Sequence, residues 1–287
     1  LGNYDHRILV ANSLAYIIKE NNIDFDYIAG IPTAGIAPAA SLSQVMNKPL
    51  IIYDNNELIK SLTLNELERV HNSKIEINEN DFFDVIGSTC PYAIPLGVNI
   101  ANHLKKPFVY IRQNEKDHGL KKKIEGILLE NQTVLLFDYF LNLQEAYGNS
   151  AIDSIFEVTK KTVSLNSDLI LKEKVDVSGK KLLVLEDLIS TGSSSIKEIN
   201  KYRKEGAIVD NLLSIFNYGI PEIAKNYEDA KINVFSALYY DTLLKVAKEK
   251  NYITSEDQNL LAEWRAEPFK WGDKNGFPFE DPNKKIN

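Results

Sequence analysis

The sequence has 287 residues, of which 44% are hydrophobic and 25% are charged, a composition typical of a folded globular protein rather than of a disordered chain. Its 33 Lys and Arg residues against 40 Asp and Glu residues give a net charge of −7, which disfavours non-specific binding to nucleic acid or to an anionic membrane. A single cysteine, Cys90, excludes an internal disulfide and fits a reducing cytoplasm, and no apolar run approaches the ~20 residues of a membrane helix.

Helices and strands are predicted to alternate along the chain. Periodic apolar residues predict a helix over 6–20, and a short apolar run ending in Gly30 predicts the first strand. The later predicted elements are helices over 37–46 and 57–70, strands over 49–53, 83–87, 107–112, 133–138, 181–186, 208–216 and 232–237, and two helices between Asp241 and Arg265. This alternation predicts an α/β fold with a mainly parallel sheet flanked by helices.

One stretch of the chain is similar to another stretch 58 residues further on. The aligned pairs are 25–28 with 83–86, 48–49 with 106–107 and, more loosely, 134–138 with 182–186. Their order is first half, first half again, second half, second half again, which predicts one α/β unit nested in another. The alternative is a single extended sheet without pseudo-symmetry, since any two strand–helix units look alike.

The nested arrangement divides the chain into three parts. We expect an outer core over 1–56 plus 175–270, an inserted degenerate unit over 57–174, and a loose C-terminal extension over 271–287. The end of the chain, from about residue 270, is rich in Gly, Pro, Asp, Asn and Lys, a composition typical of such an extension.

The sharpest motif follows the predicted strand over 181–186. Two acids, Glu186 and Asp187, come before a loop of small hydroxyl residues and glycine, and a helix is predicted to begin near Ser195. The unpaired NH groups and partial positive charge of a helix N-terminus bind phosphate, and Gly192 lets the backbone approach such a ligand. No lysine follows the glycine, so this is not a Walker loop. Acids beside a phosphate site favour a ligand that also carries sugar hydroxyls.

This string, VLEDLISTGSSS from Val184 to Ser195, resembles the motif of type I phosphoribosyltransferases that binds 5-phosphoribosyl 1-pyrophosphate (PRPP). Within them it is most similar to the orotate phosphoribosyltransferases. The resemblance implies that Glu186 and Asp187 contact the ribose hydroxyls, that Asp187 also serves catalysis, and that Ser190 contacts the base. It assigns the 5′-phosphate to Ser190, Thr191, Gly192, Ser193 and Ser194.

A second motif, R-x-x-x-K-x-H-G followed by I-E-G, runs from Arg112 to Gly126 and is typical of an exposed loop. It resembles the catalytic loop of orotate phosphoribosyltransferases, which in that family closes over the active site of the partner subunit. The resemblance implies that Arg112 and Lys116 bind pyrophosphate and that His118 lies near the reacting centre. The family usually has a second basic residue after the arginine. This sequence has Gln113 there, which removes one donor to pyrophosphate.

A third motif is a loop of small residues from Gly30 to Gly35, after the first predicted strand. It resembles the family loop that binds pyrophosphate through backbone NH groups, and it assigns that role to Thr33, Ala34 and Gly35. The repeat copy, Ser88 to Tyr92, has lost the glycines and is unsuited to an anion.

The resemblance covers about 1–53, 83–126 and 178–266, and it implies transfer of phosphoribosyl from PRPP to orotate in pyrimidine nucleotide synthesis. Mg²⁺ is the implied cofactor, without a direct protein ligand. Two alternatives stay open: a PRPP-binding regulator without turnover, which Gln113 favours, and a phosphoribosyltransferase acting on a purine base. The chain is either a homodimer or, if it is an internal pseudo-dimer, a monomer. Because it begins at Leu1, we expect preceding residues that contact orotate.

Overall fold

The predicted α/β fold is confirmed by a computed structural model of the protein. The structure describes residues 2–54, 57–61, 84–88, 93–111, 124–129, 132, 134–137 and 173–276. The helices described are α1 (Tyr4–Glu20), α2 (Ile36–Met46), α3 (Ala93–His103), α4 (Ser193–Lys204), α5 (Pro221–Asp229), α6 (Tyr240–Glu249), α7 (Ser255–Ala266) and α8 (Pro268–Lys274). None of them is long and apolar enough to cross a lipid bilayer.

The strands form two sheets, and their bounds follow in chain order. They are β1 (Tyr27–Gly30), β2 (Leu50–Asp54), β3 (Glu57–Ser61), β4 (Val85–Ser88), β5 (Phe108–Ile111), β6 (Ile124–Glu125), β7 (Val134–Phe137), β8 (Glu173–Lys174), β9 (Lys181–Ile189), β10 (Ile208–Asn217) and β11 (Asn233–Tyr239). The larger, sheet A, has the order β11-β10-β9-β1-β2-β3-β8, and the smaller, sheet B, has the order β6-β5-β4-β7.

Both sheets are mainly parallel, with antiparallel strands at one edge. In sheet A the strands from β11 to β2 run parallel, whereas β3 runs antiparallel to both β2 and β8. In sheet B, β7, β4 and β5 run parallel and β6 is antiparallel to β5. The central strands β1 and β4 are apolar along most of their length because helices cover such parallel sheets.

One hydrophobic core joins the two sheets through α1, α2 and α3. Helix α2 contributes Ile36 and Leu42 to it, both fully buried, and α3 contributes Ile94 and Ile100, each 1% exposed. Burial of each such side chain stabilises the fold by roughly 1.5–3 kcal/mol. Residues of both sheets pack on the same cluster, among them Ile28, Leu183, Ile86 and Phe108. The two sheets are therefore held by a shared interior.

The prediction of a helix over 57–70 is wrong where the structure describes it. Residues Glu57–Ser61 form β3, which pairs along its whole length with β2, and 62–70 lie outside the described residues. Leu58 is buried at 7% exposure, and the free edge of β2 gains backbone hydrogen bonds from the pairing. The expected insert over 57–174 therefore begins with one strand of sheet A, β3, and ends with another, β8.

The start of the C-terminal segment expected to be a loose extension is helical in the structure. Helix α8 runs to Lys274, with Pro268 at its N-terminus, where a missing backbone NH carries no penalty. The Glu267 carboxylate accepts hydrogen bonds from the ammonium groups of Lys270 and Lys274. Residues 277–287 lie outside the described part of the chain.

Candidate active site

The carboxyl ends of β1 and β9 meet at one edge of sheet A and bring together two loops far apart in sequence. The strands pair in register from Tyr27 with Leu182 to Gly30 with Leu185. Just beyond, the backbone NH of Ile31 donates to the carbonyl of Leu185 over 2.9 Å. The loop after β1 therefore lies beside the two acids that follow Leu185, at the edge of a parallel sheet where ligands commonly bind.

The loop after β1 is folded tightly against β9. The NH of Gly35 donates to the carbonyl of Ile31 over 3.0 Å. A Cβ atom on Gly35 would lie 2.6 Å from the Leu185 carbonyl oxygen, and one on Gly30 would lie 2.8 Å from Cα of Ile36. Only glycine fits at these two positions. The Pro32–Thr33 peptide bond is cis.

Helix α4 presents an N-terminus without a side-chain cap. The helix begins at Ser193, and the residue before it, Gly192, has φ +71° and makes no side-chain cap hydrogen bond. Thr191, Ser193 and Ser194 are exposed around this end. Backbone NH groups, hydroxyls and the partial positive charge of the helix end thus face the same region, which is an arrangement that binds phosphate groups.

A buried hydrogen bond supports the first turn of α4 from below. Oγ of Ser195 lies 2.9 Å from the hydroxyl of Tyr227 on α5, and Ser195 is 2% exposed. Burial raises the pKa of the Tyr227 hydroxyl, and the charge of Glu186 adds to the rise, so this group stays protonated and can donate a hydrogen bond. This hydrogen bond therefore holds the first turn of α4 against α5.

Glu186 is the most strongly perturbed acid described in the site. It is 7% exposed. Burial raises the pKa of Glu186 to about 8, hydrogen bonding and charge repulsion from Asp187 add to the rise, and a hydrogen bond with Ser195 opposes it. Glu186 is therefore largely protonated near neutral pH and can both donate and accept hydrogen bonds. Such perturbed groups in a cleft mark candidate functional sites.

A pocket of about 240 Å³ opens beside these groups, and residues of both sheets line it. The outer unit contributes Thr33, Ala34 and Asp187, which the sequence analysis selected. The other lining residues are Gly2, Ala37, Ile94, Phe108, Tyr110, Glu125 and Gly126. Of these, Glu125 and Gly126 belong to the I-E-G motif, whereas Phe108 and Tyr110 are typical of a buried strand and carry no sequence signal of a site.

The structure describes some of the predicted site residues and leaves others outside. Thr33 and Ala34 share the pocket with Asp187, Gly35 closes the same loop, and Glu186 precedes Asp187 on β9. Ser190, Thr191, Gly192, Ser193 and Ser194 follow at the end of that strand and the start of α4. Arg112, Gln113, Lys116 and His118 lie outside the described residues.

The described part of the chain contains no group of three or more His, Cys, Asp or Glu residues that could hold a metal ion. The paired acids Glu186 and Asp187 are therefore too few to form a complete protein site for a cation. A divalent ion at this edge of the sheet would need further oxygen ligands from a bound molecule, and phosphate oxygens are the ligands that Mg²⁺ commonly takes from substrates.

Comparisons with known proteins find orotate phosphoribosyltransferases among the curated relatives. No protein-family model matches the sequence. The chain is 30% identical to the orotate phosphoribosyltransferase of Listeria innocua over 189 residues, which cover 66% of this chain and 68% of the relative. It is 28% identical to that of Phocaeicola vulgatus over 218 residues, covering 76% of this chain and 80% of the relative. Among solved structures, UMP synthase of Leishmania donovani matches with a TM-score of 0.44 and 15% identity, over 90% of this chain and 32% of that one.

Proposed function

The chain belongs to the orotate phosphoribosyltransferase family, and we propose that it transfers the phosphoribosyl group of PRPP to orotate, giving orotidine 5′-monophosphate and pyrophosphate. The observation that carries this proposal is the pocket in which Asp187 meets Thr33 and Ala34, since Asp187 lies on the strand that leads into the uncapped end of α4. Two anion-binding loops next to paired acids suit a ligand with phosphate at both ends of a sugar. The step belongs to pyrimidine nucleotide synthesis, and the single cysteine favours the cytoplasm.

The 5′-phosphate is assigned to the loop at the start of α4. The backbone NH groups and hydroxyls of Ser190, Thr191, Gly192, Ser193 and Ser194 supply donors, and the helix end supplies a partial positive charge. Gly192 has no side chain to cover the helix end. The phosphate therefore needs no lysine at this position.

The ribose is assigned to the acids at the end of β9. Asp187 lines the pocket and accepts hydrogen bonds from ribose hydroxyls, while the protonated Glu186 beneath it orients Asp187 or donates to the sugar. Ser190, immediately after the strand, is the residue of this loop assigned to the base.

Pyrophosphate is the leaving group, and it is attached to C1 of the ribose, away from the 5′-phosphate. The bond between C1 of the ribose and the pyrophosphate oxygen breaks, and a ring nitrogen of orotate forms the new bond to C1 while its proton passes to the departing pyrophosphate. Thr33 and Ala34 are assigned to donate backbone NH groups to the leaving group, whose negative charge grows as the bond breaks. The NH of Gly35, assigned the same role from the sequence, is already donated to the Ile31 carbonyl, so Gly35 contributes by closing the loop. Mg²⁺ bound together with PRPP would neutralise part of that charge.

Arg112, Lys116 and His118 complete the proposal from the sequence, since they lie outside the described residues. Arg112 and Lys116 are assigned to pyrophosphate and His118 to the reacting centre. They follow β5 and precede β6, and Tyr110 and Glu125 on those two strands line the pocket. The replacement of a basic residue by Gln113 supports one rival function, PRPP binding without turnover.

The test is release of pyrophosphate from PRPP and Mg²⁺ by the purified chain. We expect release that depends on orotate, is absent without a base and is absent with adenine or hypoxanthine. Release with a purine would assign the other base class. PRPP binding without release under any condition would favour the non-catalytic regulator. Asp187→Asn serves as the variant that should lose activity in each case.

A further inference from the structure

Sheet B repeats the topology of part of sheet A. The order β7-β4-β5-β6 corresponds strand by strand to β9-β1-β2-β3, with the same directions. The registers also correspond. The paired residues Ile28–Leu50 and Ile28–Leu183 in sheet A match Ile86–Phe108 and Ile86–Leu135 in sheet B. In the first half, each residue of the insert follows its equivalent in the outer unit by 58 positions. In the second half, each residue of the insert precedes its equivalent by 48 positions. An insert that lies between the two halves of the outer unit requires this order.

The connections between the strands repeat in the same detail. Asn47, after α2, has φ 51°, and the equivalent Lys105, after α3, has φ 53°. The NH of Lys48 donates to the carbonyl of Ser43 over 3.1 Å, and the equivalent NH of Lys106 donates to the carbonyl of Ala101 over 2.8 Å. A chance similarity of two strand–helix units does not require matching helix ends.

The two units meet through equivalent faces of α2 and α3. Nε2 of Gln44 donates to the backbone carbonyl of Asn99, and Nδ2 of Asn102 donates to Oγ of Ser41, over 3.4 and 3.2 Å. Asn99 and Asn102 are the residues equivalent to Ser41 and Gln44. Each helix thus uses the same two positions to contact the other. This reciprocal pattern is the property of an interface around a two-fold axis.

Gln44 and its own equivalent, Asn102, lie close to that axis, since Nδ2 of Asn102 also donates to Oε1 of Gln44 over 2.9 Å. Helix α1 locks the interface from one side. The buried Arg7 donates from Nε to Oδ1 of Asn102 over 2.9 Å and from a terminal nitrogen to the carbonyl of Lys106 over 2.8 Å.

The inserted unit lacks the glycine with which the ligand loop of the outer unit begins. The equivalent of Gly30 is Ser88, whose side chain donates to the carbonyl of Ala93 over 2.9 Å. Its neighbour Gly97 is equivalent to Ala39, and a Cβ atom on Gly97 would lie 2.3 Å from Oγ of Ser88. In the outer unit the glycine of this contact is Gly30, which faces Ala39. In the insert it is Gly97, which faces Ser88. The space that Gly30 leaves at its loop is filled in the insert.

From these relationships we propose that the chain is an internal pseudo-dimer with one composite active site, completed within a single polypeptide. Sheet A supplies Thr33, Ala34 and Asp187 to the pocket, and sheet B supplies Tyr110 and Glu125. The α2–α3 contact is the internal counterpart of a dimer interface. A second copy of the chain is therefore not needed for the site. The inference rests on the proposed function only for the identity of the ligand.

The test mixes two inactive variants of the full chain. Asp187→Asn disables the outer half and Lys116→Ala the inserted half. If each site lies within one chain, the mixture has no more activity than the average of the two variants. If copies share sites between chains, random pairing restores about a quarter of the wild-type sites after joint refolding. Such recovery would overturn the proposal.

Two further measurements need no turnover. Calorimetric titration with PRPP and Mg²⁺ should show one site per chain, and two sites would contradict the degenerate insert. Sedimentation over a wide concentration range should give the mass of one chain, 32.5 kDa, with a thermal midpoint that does not depend on concentration. A dimer whose dissociation lowers the midpoint would overturn the internal interface. A monomer that binds one PRPP but releases no pyrophosphate would refute only the proposed function.

Discussion

Gly192 lies directly over Tyr227, so that a Cβ atom on Gly192 would be 2.8 Å from the tyrosine hydroxyl. The same hydroxyl holds Ser195, one turn further along the chain. Helix α5 therefore supports the loop assigned to the 5′-phosphate, and the absence of a side chain at residue 192 is needed for this packing as well as for its positive φ.

The first prediction separates the effect of the positive φ at Gly192 from the effect of its close packing on Tyr227. Gly192→Ala should destabilise the fold more than Gly179→Ala does and should weaken PRPP binding, because Tyr227 must move. Gly179 has nearly the same φ, +70°, but no atom within 4 Å of a Cβ added there, so it is a matched control for the backbone term of about 1–2 kcal/mol. Denaturant unfolding and calorimetry measure the two effects. Equal losses in both variants would show that Tyr227 does not constrain the loop.

The acids after β9 give the second prediction. Glu186→Gln combined with Asp187→Asn should weaken PRPP binding in calorimetry. The lost charge-assisted hydrogen bond of Asp187 contributes roughly 1.5–3 kcal/mol, and the lost hydrogen bond of the protonated Glu186 roughly 0.5–1.5 kcal/mol. Asp210→Asn, on the exposed amino-terminal part of the neighbouring β10, is the control and should leave affinity unchanged. Unchanged affinity in the double variant would remove the ribose role.

The raised pKa of Glu186 gives a third prediction, on stability. Its folded-state pKa of about 8 lies above the ordinary value of 4.5, so the folded state holds a proton that the unfolded state has lost between these values. The contribution of Glu186 to the free energy of unfolding should therefore fall as pH rises from about 4.5 to 8, and change little above that. Glu186→Gln should remove this part of the pH dependence, and the unliganded variant should be more stable than wild type at pH 9. Parallel pH profiles of the two proteins in denaturant unfolding would contradict the raised pKa.

Lys116 is the subject of the fourth prediction. Lys116→Ala should lower kcat by roughly 10²-fold and raise KM by less, because the charge on pyrophosphate grows in the transition state. Lys121→Ala, which removes the same charge nearby in sequence, is the control and should have a small effect. An increase in KM alone would mean that Lys116 helps only to capture the substrate.

Asn102 gives the fifth prediction. Asn102→Ala should reduce stability by about 2–3 kcal/mol, because it removes one acceptor of the buried Arg7 guanidinium and the hydrogen bonds to Ser41 and Gln44. Asn211→Ala breaks an exposed pair with Asn233 and should have a much smaller effect. Denaturant unfolding at two protein concentrations measures both, and the loss should be the same at each concentration.

The parallel strands of both sheets could be predicted because buried parallel strands are short apolar runs, and helix α1 because its apolar residues recur at helical spacing. The antiparallel strands β3, β6 and β8 were not predicted. Leu58 and Ile59 lie between charged residues, a pattern that fits either a helix or a strand. This segment forms strand β3 because it pairs with the free edge of β2. Long-range pairing of this kind leaves no local signal.

The site divides in the same way. Asp187 could be selected because acids beside a glycine-rich loop are a local pattern. The pocket role of Tyr110 could not, because an aromatic residue in a buried strand is typical of a core, and its exposure to the pocket depends on how sheet B packs against sheet A.

The pairing of β3 with β8 has a consequence for how such a chain could arise. Ile59 pairs with Lys174 and Lys60 with Glu173, so the polypeptide leaves the outer sheet and returns to it on adjacent strands. A segment inserted at this point would begin and end on two adjacent, hydrogen-bonded strands. It would therefore need no long linker to the rest of the chain. Two copies joined in one chain in this way would not separate on dilution, and each could lose by mutation what the other retained.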